Sequence, residues 1–302
     1  MQINDLLNAL PGAVGQGLIW GVMAIGVFIT FKVLDIADLT VDGSIATGGA
    51  TCIMLLRAGM PVWAAMLGAL IAGLAAGLIT GLLHTFMGIP ALLAGILTQF
   101  ALWSVNLRIL GGSNQSISVD KFPLLVSSRY IMQAIGVVAV FVVAIIAILY
   151  WFFGTALGCG IRATGANPDM SRAQGINVDA NKIIGLMLSN GLVALSGGLL
   201  SQYQGFADVK MGIGSIVIGL AAVIIGEVVF SRIFRNFALR LLSVVLGAII
   251  YYVVLQLIFW FGIDSDYLKL LTAIIVAIFL AIPYWKGKYW NKPARKGNTK
   301  NA

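Results

Sequence analysis

The chain has 302 residues, of which 60% are hydrophobic and only 10% are charged. Soluble domains contain about a quarter charged residues, so this composition excludes an ordinary soluble domain and indicates a membrane protein with several spans. A formal charge of +8 would suggest nucleic-acid binding in a soluble protein. Here the basic residues cluster in a few loops, which is typical of the positive-inside rule, so no nucleic-acid partner is expected.

Apolar segments follow one another along almost the whole chain. Because a helix needs about 20 apolar residues to cross the hydrocarbon core, we predict an all-α polytopic membrane protein with about eight or nine transmembrane helices. The second segment is short, so one short or broken helix is expected near 35–57. The predicted spans lie near residues 14–34, 43–57, 62–86, 90–110, 131–153, 183–203, 212–230, 238–261 and 266–284.

The distribution of lysine and arginine predicts the orientation of the chain. A single transmembrane domain over 1–284 is followed by a basic tail at 285–302, and basic loops near 162–182 and 231–240 fall on the same side as this tail. The positive-inside rule places that side in the cytoplasm and the N-terminus outside.

A polar segment at 162–182, RATGANPDMSRAQGINVDANK, interrupts the apolar pattern. Asn167 and the proline after it favour a helix start, because Asn is a good N-cap and Pro suits the first helical position. Asp169 then lies in the first turn, where the helix dipole favours an anion, and Gly175 is predicted to end the helix. A short capped helix with an exposed Met170 indicates a docking element; the alternative is a long loop with no partner.

Three aspartates, Asp35, Asp38 and Asp42, lie where the first span ends or breaks. Charges at membrane depth are costly and usually functional. One interpretation is a discontinuous helix whose polar break is buried in protein or faces a cavity. The other is an ordinary helix–loop–helix with the aspartates in water at the cytoplasmic surface.

Further polar side chains occur inside the predicted spans, where they either line a polar path or form ordinary interhelical hydrogen bonds. Glu227, the only glutamate, lies at the end of a span, where it is either a snorkelling or capped acid or a functional group. The candidate residues of a substrate path are Asp38, Thr40, Asp42, Ser44, Gln99, Asn106 and Asn190.

The sequence contains no arrangement typical of catalysis, metal binding or nucleotide hydrolysis. His84, the only histidine, has no positioned acid or nucleophile, and Cys52 and Cys159 lack a metal-binding spacing. No phosphate-binding loop of the form GxxxxGK[ST] occurs. We therefore predict that this chain is not an enzyme, binds no metal and does not hydrolyse ATP on its own.

Three motifs resemble segments of the permease subunits of ABC importers of the ribose and branched-chain amino-acid class. DLTVDGSIATGGA at 38–50 resembles the signature after the first span, and RATGANPDMSRAQGIN at 162–177 is similar to the cytoplasmic coupling segment. LAAVIIGEVVF at 220–230 resembles the segment before the second cytoplasmic loop. The fit to the older EAA-type pattern is loose, because Asp169 stands where the glutamate would. The most similar subgroup includes carriers of tryptophan or tyrosine.

The resemblance implies the partners and the location of the chain. Two permease subunits, either two copies of this chain or a related pair, would span the bacterial inner membrane. They would sit on two cytoplasmic ABC ATPase subunits, which bind ATP and Mg²⁺, so this chain itself holds no cofactor. An extracytoplasmic substrate-binding lipoprotein would deliver the substrate.

The resemblance also implies a coupling segment at 154–182, which would pass the motion of the ATPases to the spans through a helix near 166–175. The residues assigned to coupling are Arg162, Asn167, Asp169, Met170, Arg172, Gly175 and Glu227.

Few charged residues lie deep in the spans, so a small neutral or zwitterionic substrate such as an amino acid, which could be aromatic, is expected. Two other functions stay open from the residues alone. One is an ion-coupled secondary transporter with Asp35, Asp38 and Asp42 as its ion site. The other is a membrane scaffold subunit that transports nothing.

Overall fold

Helices dominate the described part of the chain. A computed structural model describes residues 3–118, 121–122, 124–230, 233–234, 236–260 and 267–285. Over these residues the chain forms eleven α-helices and one two-stranded ribbon. The elements are α1 (Ile3–Phe28), α2 (Thr40–Arg57), α3 (Val62–Thr85), α4 (Ala91–Leu110), β1 (Asn114–Ser116), α5 (Ile131–Gly154), α6 (Ala156–Ala166), α7 (Pro168–Ala173), α8 (Val178–Gln204), β2 (Phe206–Asp208), α9 (Ser215–Phe230), α10 (Phe237–Trp260) and α11 (Leu268–Trp285).

The all-α polytopic fold class is confirmed, because each of the nine predicted spans coincides with a helix. Six described helices are long and apolar enough to cross a membrane by length and composition: α1, α3, α4, α5, α8 and α10. The predicted count of about eight or nine is not confirmed, since α2 is not among the six and α9 and the apolar part of α11 are shorter. The tail from 286 onward lies outside the described residues.

The predicted break near 35–57 is present, and part of it is buried in the protein. After α1, a π-helical turn covers Ile29–Val33, and residues 34–39 form no regular helix before α2 begins. Asp35 is exposed and adopts φ +55°, a left-handed conformation that Asp tolerates better than most residues. Asp38 is only 3% exposed. Asp38 therefore fits the discontinuous-helix interpretation, whereas Asp35 fits the alternative in which an aspartate contacts solvent.

Small residues allow α8 to pass through the centre of the bundle. A Cβ atom on Gly48 of α2 would overlap the carbonyl of Ala194, and one on Gly77 of α3 would overlap the carbonyl of Leu186. Close backbone approach at small residues is a general basis of helix association in lipid. As a result, polar side chains on α2, α3 and α8 come within hydrogen-bonding distance of one another.

The bundle has two ends that carry different connections. At one end, which we call the α7 end, α6 lies beside the turn that follows α1, and Gly165 packs on the backbone of Val33. At the other end, the ribbon end, β1 pairs antiparallel with β2. There the guanidinium of Arg57, at the end of α2, donates to the Gln115 side-chain oxygen. The ribbon thus fixes the connections α4–α5 and α8–α9 to each other.

Candidate functional site

A chain of hydrogen bonds joins polar side chains inside the bundle. The side-chain amide of Asn190 on α8 donates to Oδ2 of Asp38 (2.7 Å), and its oxygen accepts from the hydroxyl of Ser44 (2.6 Å). Oδ1 of Asp38 accepts from the backbone N–H of Thr40 at the start of α2 (2.9 Å). These four residues are at most 3% exposed. Four of the predicted path residues therefore meet at one buried site.

Two threonines that the sequence did not single out extend this site to α3 and α4. The hydroxyl of Thr40 lies 2.7 Å from that of Thr80, which donates to the hydroxyl of Thr98 at 2.9 Å. Thr80 lies one turn after Gly77, on the small-residue face of α3 that meets α8. This spacing in the sequence could have identified Thr80 as a residue that faces the interior of the bundle. We call the set of Asp38, Thr40, Ser44, Thr80, Thr98 and Asn190 the polar network.

The polar network lies near the middle of the bundle. Asn190 is close to the midpoint of α8, which has 27 residues and is about 40 Å long. Polar groups placed in an apolar interior are costly unless they are hydrogen-bonded to one another. The network satisfies this condition without an ion pair, because no described lysine or arginine forms a salt bridge with Asp38.

Asp42 lies apart from the network and binds the start of α9. Its two carboxylate oxygens accept the backbone N–H groups of Gly214 and Ile216, each at 2.9 Å. The first N–H groups of a helix have no partner within the helix, and the helix dipole favours an anion there. Because Asp42 is in the first turn of α2, the N-terminus of α9 lies within the bundle. The connection from β2 to α9 therefore enters the bundle.

The remaining two path candidates lie on α4. The Cα atom of Gln99 faces Gly43 of α2, and Asn106 is 1% exposed. Among the residues that the structure describes, Oδ1 of Asn106 has no hydrogen-bond partner. Neither side chain has a hydrogen bond to the polar network over the described ranges.

The three aspartates near the break do not converge. Asp35 is exposed, Asp38 belongs to the network and Asp42 binds α9. Within the described part of the chain, no three His, Cys, Asp or Glu side chains form a group that could hold a metal ion. The ion site that a secondary transporter would build from these aspartates is not assembled in this structure.

The short helix α7 has the internal build that the sequence predicts. Oδ1 of Asn167 accepts from the N–H of Met170 at 2.9 Å, and Pro168 occupies the first turn. Gly175 follows the last turn with φ +78°, a left-handed conformation that favours glycine. The Met170 side chain is 61% exposed. The capped helix α7 therefore exposes an apolar side chain, Met170, at its surface.

Arg172 connects α7 to the start of α8. Its guanidinium lies 3.8 Å from the carboxylate of Asp169 and 3.6 Å from that of Asp179. Exposed pairs of this kind contribute little to stability. The pair with Asp179 joins α7 to the first turn of the long helix that carries Asn190.

A direct contact links α6, which precedes α7, to the break after α1. A Cβ on Gly165 would overlap the carbonyl oxygen of Val33, so the two backbones touch. On its other side, α6 is held to α8 by a hydrogen bond from the Asn181 amide to the Thr164 hydroxyl (3.1 Å). Residues 34–39 lead from this contact to the polar network. The exposed helix and the buried network are therefore joined by contiguous contacts.

Neither Arg162 nor Glu227 lies on α7, because Arg162 belongs to α6 and Glu227 to α9. Both line a cavity of about 360 Å³ at the α7 end, together with Lys32 and Arg240. Glu227 forms an ion pair with Lys32 at 2.9 Å, and the Arg162 guanidinium lies 5.4 Å from the centroid of the Phe237 ring. The other five predicted coupling residues lie on α7 or at its two ends.

Comparison with known proteins decides the family. Residues 10–282 match the sequence model of the branched-chain amino acid transport system / permease component family. The chain belongs to this permease family. It is therefore a permease component of a transport system and a multi-pass membrane protein, as the three motifs predicted.

Two curated relatives cover nearly the whole chain. The tyrosine transport system permease protein of Clostridioides difficile (strain R20291) is 39% identical over 275 residues, which is 91% of this chain and 91% of that protein. An uncharacterized protein of Rickettsia prowazekii (strain Madrid E) is 35% identical over 281 residues, which is 91% of this chain and 98% of that protein.

A solved structure shares the fold. PsaBC from Streptococcus pneumoniae, determined in complex with Fab, superposes with a TM-score of 0.54 over 95% of this chain and 100% of the matched chain. The sequence identity is 16%, and at this level the likeness concerns the fold alone.

Proposed function

We propose that this chain is the membrane subunit of an ATP-driven ABC importer and that α7 is its contact with a separate ATPase. The observation that carries this proposal is α7 itself. A capped helix exposes Met170 at one end of the bundle, and Arg172 pairs with Asp179 at the start of α8. Met fills irregular partner surfaces well, because its unbranched side chain adapts its shape.

The proposal places the α7 end in the cytoplasm. The basic residues near 162–182 support this orientation through the positive-inside rule. ATP and Mg²⁺ are then bound by the ATPase and not by this chain. A second permease copy or a related permease completes the membrane part, which lies in the bacterial inner membrane. A substrate-binding lipoprotein approaches the ribbon end from the extracytoplasmic side.

In this mechanism α6 transmits motion from α7 to the polar network. Movement of α7 displaces Gly165 against Val33, and residues 34–39 carry that displacement to Asp38. The six buried side chains then exchange hydrogen bonds as the bundle opens, so that Asp38, Thr40, Ser44 and Asn190 become the polar lining of the substrate path. Coupling by such contacts requires an element with two arrangements, and we assign that role to the irregular segment 34–39.

We further propose a small zwitterionic amino acid as the substrate. The polar network holds hydroxyl and amide groups around a single carboxylate, Asp38. This composition suits a solute that carries one ammonium and one carboxylate better than one with a high net charge. The name of the Clostridioides difficile relative supports an aromatic amino acid such as tyrosine.

Co-purification tests the docking role of α7. The tagged chain is expressed with the ATPase encoded beside its gene, and the recovered ATPase is quantified. We expect Met170→Asp to abolish recovery, because a carboxylate replaces an apolar contact. The matched control is Met132→Asp, at the ribbon end of α5, where the side chain is 75% exposed; it should recover the ATPase as the wild type does.

The contradicting result is equal recovery from Met170→Asp and from the wild type. An ATPase that never co-purifies, combined with no uptake in reconstituted vesicles, would favour a scaffold subunit instead.

A further inference from the structure

Two adjoining cavities at the α7 end differ in chemistry. The first, about 360 Å³, is lined by Lys32, Arg162 and Arg240, with Glu227 as its acidic residue among those described. The second, about 570 Å³, is lined by aromatic side chains near the end of α5. Arg162 and Phe237 belong to both linings, so the cavities share a wall. Together they form one site with a cationic half and an apolar half.

The cationic half retains positive charge that the protein does not neutralise. Glu227 pairs with Lys32. Over the described residues, Arg162 and Arg240 form no salt bridge, and Arg162 instead lies over the face of Phe237. A guanidinium in this setting suits a phosphate, because its planar donors match phosphate oxygens in a bidentate manner.

The apolar half lies at the depth where lipid headgroups meet acyl chains. Tyr150 and Trp151, in the last turns of α5, are 50% and 72% exposed. Exposed Tyr and Trp at the end of a long apolar helix mark the membrane–water interface. Most of α5 lies on the outside of the bundle, so a lipid can reach this site laterally.

We propose that these two cavities bind one anionic phospholipid. Its headgroup phosphate lies among Lys32, Arg162 and Arg240, and its glycerol and upper acyl region lie against Tyr150 and Trp151. Basic pockets between helices at a membrane surface recognise anionic lipid headgroups in this way. Since α6, α9 and α10 all contribute to the site, the bound lipid bridges these three helices.

Lipid retention by the purified full-length chain tests this proposal. Delipidated protein is incubated with phosphatidylglycerol or with phosphatidylcholine, and bound lipid is counted by native mass spectrometry. We expect phosphatidylglycerol to be retained preferentially. The double variant Arg162→Gln/Arg240→Gln should weaken its binding by roughly 10- to 30-fold, since each cation near the surface contributes to anionic lipid attraction.

Three variants make the result specific. Arg162→Lys/Arg240→Lys keeps the charge and should retain most binding. Glu227→Gln removes the competing carboxylate and should strengthen binding about three- to fivefold. Arg172→Gln removes an equal charge from the same end of the bundle but outside the cavities, and it should leave lipid binding unchanged. A thermal unfolding curve for each variant establishes that it is folded.

Several results would overturn the proposal. Equal retention of the two lipids by the wild type would do so, as would unchanged phosphatidylglycerol binding in Arg162→Gln/Arg240→Gln. Complete displacement of the lipid by millimolar inorganic phosphate would assign the cations to a free anion. Loss of ATPase recovery in the double variant with unchanged lipid retention would assign them to protein docking.

Discussion

At the scale of single residues, Asn190 has the largest role, because its amide satisfies two other buried groups. Replacing it by leucine leaves Oδ2 of Asp38 and the hydroxyl of Ser44 without their partner. An unsatisfied buried polar group costs about 1–3 kcal/mol. We expect Asn190→Leu to lower the free energy of unfolding of the purified chain by at least that amount. The measurement is the fall in the thermal unfolding temperature in detergent.

Asn106 provides the matched control for this prediction. It is equally buried, but its Oδ1 has no partner within the described ranges, so Asn106→Leu removes an unsatisfied acceptor. Its unfolding temperature should stay near that of the wild type. Equal losses in the two variants would mean that the hydrogen bonds of Asn190 are not what stabilises this region.

The carboxylate of Asp42 yields a second prediction at this scale. Asp42→Ala removes both acceptors of the first N–H groups of α9, so the chain should lose about 1–2 kcal/mol, as for other helix caps. Asp42→Asn keeps one acceptor oxygen and should lose less. Hydrogen exchange at residues 214–218 measures the effect locally. Equal exchange in Asp42→Ala and the wild type would contradict the cap.

The sequence could indicate some of these residues but not their grouping. Asp38, Thr40, Ser44 and Asn190 were identifiable because polar residues are rare in apolar spans. Their convergence was not, since it depends on how α2 packs on α8 through contacts such as Gly48 on Ala194. Asp42 was predicted as a path residue because a charged residue in an apolar span is rare. The structure shows that its carboxylate caps the start of α9, and this role depends on where α9 lies.

At the scale of elements, α6 is predicted to transmit motion through Gly165. Gly165→Ala forces α6 away from Val33, because the added methyl would overlap its carbonyl oxygen. In proteoliposomes that also contain the ATPase, we expect ATP hydrolysis to persist while substrate uptake falls at least about tenfold. Both rates are measured on the same vesicles.

Gly136→Ala is the control for this change. Gly136 lies on α5 with nothing within 4 Å of the added methyl, so the substitution is tolerated and gains helix propensity. It should leave both rates unchanged. Normal uptake in Gly165→Ala would show that the contact with Val33 is not part of the coupling.

The helices were easier to predict than the places where they begin. Nine apolar segments were correct as helices, because a long apolar run leaves the backbone no other way to satisfy its hydrogen bonds. The start of α9 inside the bundle was not apparent, since it depends on the distant carboxylate of Asp42. The short helix α7 was predicted because its Asn-Pro start and Gly stop are local signals.

At the scale of the whole molecule, the proposed orientation predicts opposite accessibility of the two ends. In a background with both native cysteines replaced by serine, Met170→Cys at the α7 end and Lys210→Cys at the ribbon end provide exposed thiols. A membrane-impermeant maleimide should label the first only in inside-out vesicles and the second only in right-side-out vesicles. Labelling of both from one side would contradict the orientation.

The most direct test of ATP-driven transport through α7 is uptake by proteoliposomes that contain this chain, its ATPase and its binding lipoprotein. The substrate is the amino acid that the lipoprotein binds in a ligand screen. We expect uptake that requires ATP, persists with an uncoupler and disappears in Met170→Asp. Uptake that collapses with the uncoupler while ATP is held constant would contradict this mechanism and favour an ion-coupled carrier.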